Sequence, residues 1–199
     1  MGNSNRGAGI VASENVLNRM GAPAGQKAPT PEAAWPTVTF FEGDKEIFFN
    51  SEPVIVMLAP AAHSDGDTIV FFRRSDVVST GEIFNTSTYP VINLEAGGGI
   101  NGVIDGLNHV LDIAVPEHEQ EGGTYIIPGH GRLCDEHDVL EYRDMVTIIR
   151  DRIQDLIRKG KSLDQVKAAK PTLDYDTQYG TGTRAGDRFV ESVYKIPFP

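Results

Sequence analysis

The sequence predicts an α/β fold in which helices cover sheets, and three observations carry that prediction. Short apolar runs separated by turn residues crowd positions 37–79. From residue 97 onward, helical and strand patterns alternate. The longer helical patterns each carry an apolar stripe, which must be buried against a sheet or another helix. A length of 199 residues suits a single domain, taken here as 1–199,. With 40% hydrophobic and 23% charged residues, such a chain can bury a sizeable core,.

The elements follow in order. Ile10-Val11 ends a short strand, and Ser13 is an N-cap for a helix carrying Val16, Leu17 and Met20 that stops at Gly21,. Four prolines between residues 22 and 36 predict a loop. Strands are expected at Thr37–Phe41, Glu46–Phe49, Val54–Leu58, Thr68–Arg73 and Val77–Ser79, with turns at Gly43-Asp44, Asn50-Ser51, Asp65-Gly66 and Arg74-Ser75,. Gly97-Gly98-Gly99 then opens a helix whose apolar face runs from Ile100 through Val103, Ile104, Leu107 and Val110. Tyr125–Ile127 reads as a short buried strand leading into Pro128-Gly129-His130-Gly131. The longest helix follows, with Val139, Tyr142, Val146, Ile149 and Ile153 in its stripe and Gly160 closing it,. Ser162 and Gln165 form a capping box for a short helix, and residues 186–195 predict a last one,. Trp35 and the pairs Phe40-Phe41, Phe48-Phe49 and Phe71-Phe72 are read as core or edge packing.

Charge narrows the partners. The net charge is −10, and the one basic cluster, Arg150 to Lys161, is interrupted by Asp151 and Asp155. That pattern fits a solvated helix face, so nucleic acid and anionic membrane are set aside. No run reaches the roughly 18 apolar residues of a membrane span. Met1-Gly2 is not read as a myristoylation signal, because Arg6 stands where Ser or Thr is preferred,. A single cysteine, Cys134, allows no internal disulfide, and the compartment stays open,.

Three polar residues share one context. His63, Glu82 and His130 each follow a predicted strand beside glycines, where backbone approaches closely and sites are built,. Two imidazoles and a carboxylate are suitable zinc ligands. Each also has a plainer reading. Asp65 and Asp67 read as turn formers around His63, and Glu82 alone is an ordinary exposed carboxylate. The three glycines read as close packing, Cys134 as a bystander thiol, and His109, His118 and His137 as surface residues.

The segments "HSDGDTIVFF", "VVSTGEIFN" and "YIIPGHG", in that order, resemble the second half of a metallo-β-lactamase-fold hydrolase. "NLEAGGGINGVIDGL" and the helix containing "EYRDMV" fit the same resemblance. It implies an αββα sandwich of two mixed sheets and a two-metal zinc site, with His63 and His130 on different ions and Glu82 where an aspartate usually bridges them. The implied reaction is hydrolysis of a small-molecule ester, thioester, lactone or lactam by zinc-bound hydroxide. Two departures matter. The family's His-x-His-x-Asp-His motif is missing, since the five histidines are 63, 109, 118, 130 and 137. The chain is therefore expected to lack the first strands and the main ligand cluster, and to be impaired or inactive. Glu82 is longer than the usual aspartate, so it binds one metal or none. The alternative reading is a non-catalytic homologue that acts as a binding or assembly partner. An open sheet edge is expected to drive self-association.

Overall fold

The structure is a computed structural model that describes residues 9–22, 26–119, 121–182 and 184–197. The Met1-Gly2 reading falls outside them. A two-stranded parallel sheet pairs β1 (Val11–Ser13) with β2 (Val38–Phe40) across α1 (Glu14–Met20). Ser13 caps α1 by accepting from the Val16 N–H at 3.4 Å, as the sequence suggested. The expected proline-rich loop contains one turn of 3₁₀ helix at Glu32–Ala34.

A second sheet has five strands in the order β3-β4-β5-β6-β7. They are β3 (Asp44–Phe49), β4 (Glu52–Leu58), β5 (Thr68–Phe72), β6 (Val77–Asn85) and β7 (Tyr125–His130). The first three pairings are antiparallel and β6 with β7 is parallel. Only this sheet is mixed. The small one is purely parallel among the described residues. Asn50 and Ser51 both take positive φ (49° and 62°), the geometry of the two-residue hairpin turn that fixes the Phe49 to Glu52 register,.

Successive residues of β4 face opposite ways. Met57 packs with Ile69 in the main core, while Val54 and Val56 on the other face are also buried. A strand buried on both faces reads as a continuous apolar run, which is why residues 53–58 show no alternation.

Helices α2 (Ile100–Ile113) and α3 (Glu136–Arg158) supply the other side of the core. Their predicted stripes bury Ile100, Val103, Leu107 and Val110 against Val139, Tyr142, Val146 and Ile149. Each such aliphatic side chain contributes roughly 1.5–3 kcal/mol. Tyr142 sets its ring edge-on to Phe84 at 5.2 Å and donates its hydroxyl to the Thr88 carbonyl at 3.0 Å. Shorter helices α4 (Leu163–Ala168), α5 (Asp176–Tyr179) and α6 (Ala185–Tyr194) complete the cluster. Among the described residues, no helix is long and apolar enough to cross a membrane.

Two corrections bear on the site. The strand expected to be buried and to end at Ile127 runs on to His130, with Tyr125 and Ile127 exposed, so His130 is the last residue of β7 rather than a residue beyond it. The strand expected at Val77–Ser79 runs on to Asn85, so Glu82 lies within β6 rather than after it. Gly81, with φ of 54°, does not end the strand. It carries an irregularity, with register shifts against β7 between Ser79 and Gly81 and again between Gly81 and Asn85. A bulge re-aims the side chains beyond it. Here Glu82 is turned outward while Ile83 and Phe84 are fully buried.

Candidate functional site

The His63 loop is held on three sides. Within it, the Asp67 carboxylate accepts from the Ser64 N–H at 2.6 Å and from the Ser64 hydroxyl at 3.3 Å, an Asx-type closure,. Burial raises the Asp67 pKa, and the bonds from Ser64 and the nearby His63 oppose that rise. From α1, Arg19 pairs with the Asp65 carboxylate and Asn15 donates to the Asp65 carbonyl at 3.3 Å. From the start of α2, Gly99 N–H donates to the Ala62 carbonyl at 2.9 Å. A Cβ on Gly98 would stand 2.1 Å from the His63 carbonyl oxygen, so the glycine run serves close packing,.

The His63 ring is fixed as well. Asn93 N–H donates to the His63 carbonyl at 2.8 Å, and His63 Nδ1 lies 2.8 Å from the Val91 carbonyl oxygen. A carbonyl only accepts, so Nδ1 is the donor in this contact, and the Val91 carbonyl leaves Nε2 unengaged. Metal-binding histidines are commonly oriented in this way.

Glu82 and His130 do come together. They sit on the paired strands β6 and β7, and His130 Nε2 stands 3.1 Å from Glu82 Oε1. The His130 carbonyl accepts from the Thr86 N–H at 3.3 Å. Gly131 follows with φ of 120°, where a Cβ would lie 1.8 Å from Thr86 Oγ1, so no larger residue would let β7 turn away here. Both side chains are open to solvent, His130 at 68% and Glu82 at 44%.

These distances test the implied zinc. Two donors each ~2.0–2.1 Å from a tetrahedral zinc lie about 3.3 Å from one another. The Glu82–His130 separation therefore fits two positions of one metal shell. A zinc site needs at least three protein ligands. Among the described residues, no three His, Cys, Asp or Glu side chains lie close enough to hold a metal. His63 thus does not join the pair in a three-donor group, and the described residues do not complete the shell.

Cys134 is a thiol rather than a ligand. It lies in an antiparallel bridge with Ile126 and donates Sγ–H to the Arg132 carbonyl at 3.3 Å. Burial, then the nearby Asp138, push its pKa up to about 11. His118 and His137 are exposed, whereas His109 on α2 is half-buried rather than a surface residue. Sequence reading missed the small polar recess of about 140 Å³ lined by Thr86, Arg132, Asp138, Glu141 and Tyr179. Arg132 makes a forked pair with Asp138 at 2.7 and 2.5 Å, two residues beyond His130. The available signal was that acidic residues 138 and 141 share a face of α3 with helical spacing.

No protein-family profile and no curated protein matches this sequence. Solved structures do. A double mutant of the sec-alkyl sulfatase PisA1 superposes with a TM-score of 0.62 at 14% identity, over 80% of this chain and 26% of that one. The stereoselective inverting sec-alkylsulfatase Pisa1 from Pseudomonas sp. gives 0.60 at 13% identity, over 82% of this chain and 29% of that one. A metallo-β-lactamase from Pontibacter korlensis aligns more loosely, with a TM-score of 0.42 at 14% identity over 57% of this chain and 49% of that one. This chain spans between a quarter and a third of the sulfatases' length. At these identities the likeness is one of fold: the chain has the α/β fold that the metallo-β-lactamase resemblance implied, shared with the alkylsulfatases over four-fifths of its residues.

Proposed function

We propose that this chain contributes Glu82 and His130 to the metal shell of a hydrolase-type site and that, on its own, it does not complete that shell or turn over substrate. One observation carries the reading: an imidazole nitrogen and a carboxylate oxygen 3.1 Å apart, with His130 ending β7 and Glu82 inside its parallel neighbour β6. If further ligands completed the shell, Glu82 and His130 would help hold a zinc ion, which would supply hydroxide near neutral pH and polarise the bond attacked. The chain's own part is to hold donors. Glu82 is aimed outward by the irregularity at Gly81, and His130 is anchored through its carbonyl on Thr86. His63 presents Nε2 because Val91 holds Nδ1–H. The substrate class is an ester, thioester, lactone or lactam, with sulfate esters added because the alkylsulfatases share the fold. An assay of p-nitrophenyl acetate, nitrocefin and p-nitrophenyl sulfate with added zinc tests the inactivity. The expected rates equal those of zinc alone. Turnover that disappears in His130→Ala would show a working site and overturn the second half of the reading.

A second reading, a non-catalytic assembly partner, rests on a separate observation. Phe48 and Phe49 on the edge strand β3, and Phe41 just before it, are each about 70% exposed. Exposed aromatics beside an unpaired strand edge favour pairing with another chain.

A further inference from the structure

A cavity of about 330 Å³ lies between residues 88–92 and α6, built by elements other than the strands that carry Glu82 and His130. That volume is at the lower end of the range for small-molecule sites. Its walls are largely apolar. Tyr89 and Phe189 are both nearly fully buried, with their rings stacked 5.2 Å apart at 6°. Ile92 and Ala185 add aliphatic surface. The Tyr89 ring is locked by its hydroxyl, which donates to Asp176 Oδ1 at 2.8 Å. Such walls favour an aromatic guest, since rings gain from packing on rings beyond the area they bury.

The polar groups of the lining select what that guest carries. Arg188 is the one charged residue among the described lining, and it is already engaged within the chain, so the described lining offers no free charge. Thr181 donates its hydroxyl to the Ser87 carbonyl at 2.9 Å, and Ser192 donates to the Arg188 carbonyl at 3.0 Å. A hydroxyl that has given its proton offers only lone pairs. Thr88 differs. Its N–H goes to Asn85 and its carbonyl accepts from Tyr142, but its Oγ1 has no partner among the described residues. A neutral hydroxyl can therefore both donate and accept here, whereas an ion would lose hydration with no free opposite charge to replace it. We propose that this cavity binds a small neutral aromatic alcohol, with its ring beside Phe189 and Ile92 and its hydroxyl on Thr88. The same segment holds His63 through the Val91 carbonyl, so the ligand would sit against the support of the first candidate histidine. The proposal does not depend on the metal reading.

Isothermal titration with 2-phenylethanol tests it, with phenylacetate and 2-phenylethylammonium as charged counterparts. The expected result is saturable binding of the alcohol at one site per chain, with each ion weaker by about tenfold or more. Amide NMR shifts on adding the alcohol should fall at residues 88–92 and 185–192. Thr88→Val keeps the backbone bonds of residue 88 and should weaken the alcohol about three- to tenfold, the usual effect of losing one neutral hydrogen bond. Ala185→Trp and Ser192→Trp should each fill the cavity and abolish binding, with circular dichroism checking both folds. No saturable binding of the alcohol in the millimolar range would overturn the proposal. So would either ion binding as tightly as the alcohol, shifts confined to other residues, or an affinity that Thr88→Val leaves unchanged. Binding that survives in a folded Ala185→Trp or Ser192→Trp variant would overturn it as well.

Discussion

A histidine whose Nδ1–H is taken by a carbonyl has one nitrogen left to offer, and His63 is in that state. The partner, Val91, lies 28 residues away in an irregular segment, so nothing in the local sequence announces it. Glu82 and His130 were legible as candidates because each stands beside glycines near the end of an apolar run. Their pairing was not, since it depends on the parallel register of β6 and β7. Cys134 shows the opposite case, in which a residue near a candidate ligand is excluded by its surroundings. With its pKa pushed up to about 11, the thiol stays protonated at neutral pH, and only the thiolate reacts. Labelling by 5,5′-dithiobis(2-nitrobenzoate) at pH 8 should therefore be slow in the native chain and fast in denaturant. Equal rates in the two states would contradict the burial described.

At the scale of elements, caps and stripes were the most legible features because they act over three or four residues. Ser13 and Ser162 cap the helices the sequence assigned to them. Asp135 was not singled out, yet it makes a full capping box with Asp138 at the start of α3. Its carboxylate accepts from the Asp138 N–H at 3.0 Å. Asp135→Ala should lower stability by about 1 kcal/mol, read as a shift in urea midpoint with no change in slope. An unchanged midpoint would mean that the forked Arg132–Asp138 pair suffices to start the helix. β6 was read six residues too short because Gly81 looks like a terminator. Whether a glycine ends a strand or adds a bulge depends on what the neighbouring strand supplies, and that information lies beyond residue 125.

For the whole molecule, the α/β class was legible from the order of elements, and the fold type from three short motifs taken together. The pairing of the small sheet was not. Strands were expected near Ile10-Val11 and at Thr37–Phe41, but each is only three residues long, too short for a pattern to show that β1 and β2 pair in parallel. The open edge of β3 has a consequence at this scale. Phe48 and Phe49 stand exposed on it, while Asp44, Lys45 and Glu46 occupy the other half of the strand and discourage pairing there,. Sedimentation velocity should show concentration-dependent association that Phe48→Lys reduces. Association unaffected by that change would place the contact elsewhere.

The central claim is that Glu82 and His130 form two positions of a metal shell that the described residues leave incomplete. Equilibrium dialysis of the purified chain against zinc addresses it most directly. The account expects far fewer than two tightly held ions per chain, and expects the weak binding that remains to fall in both His130→Ala and Glu82→Ala. Two tightly held ions per chain, or weak binding that neither substitution alters, would contradict it.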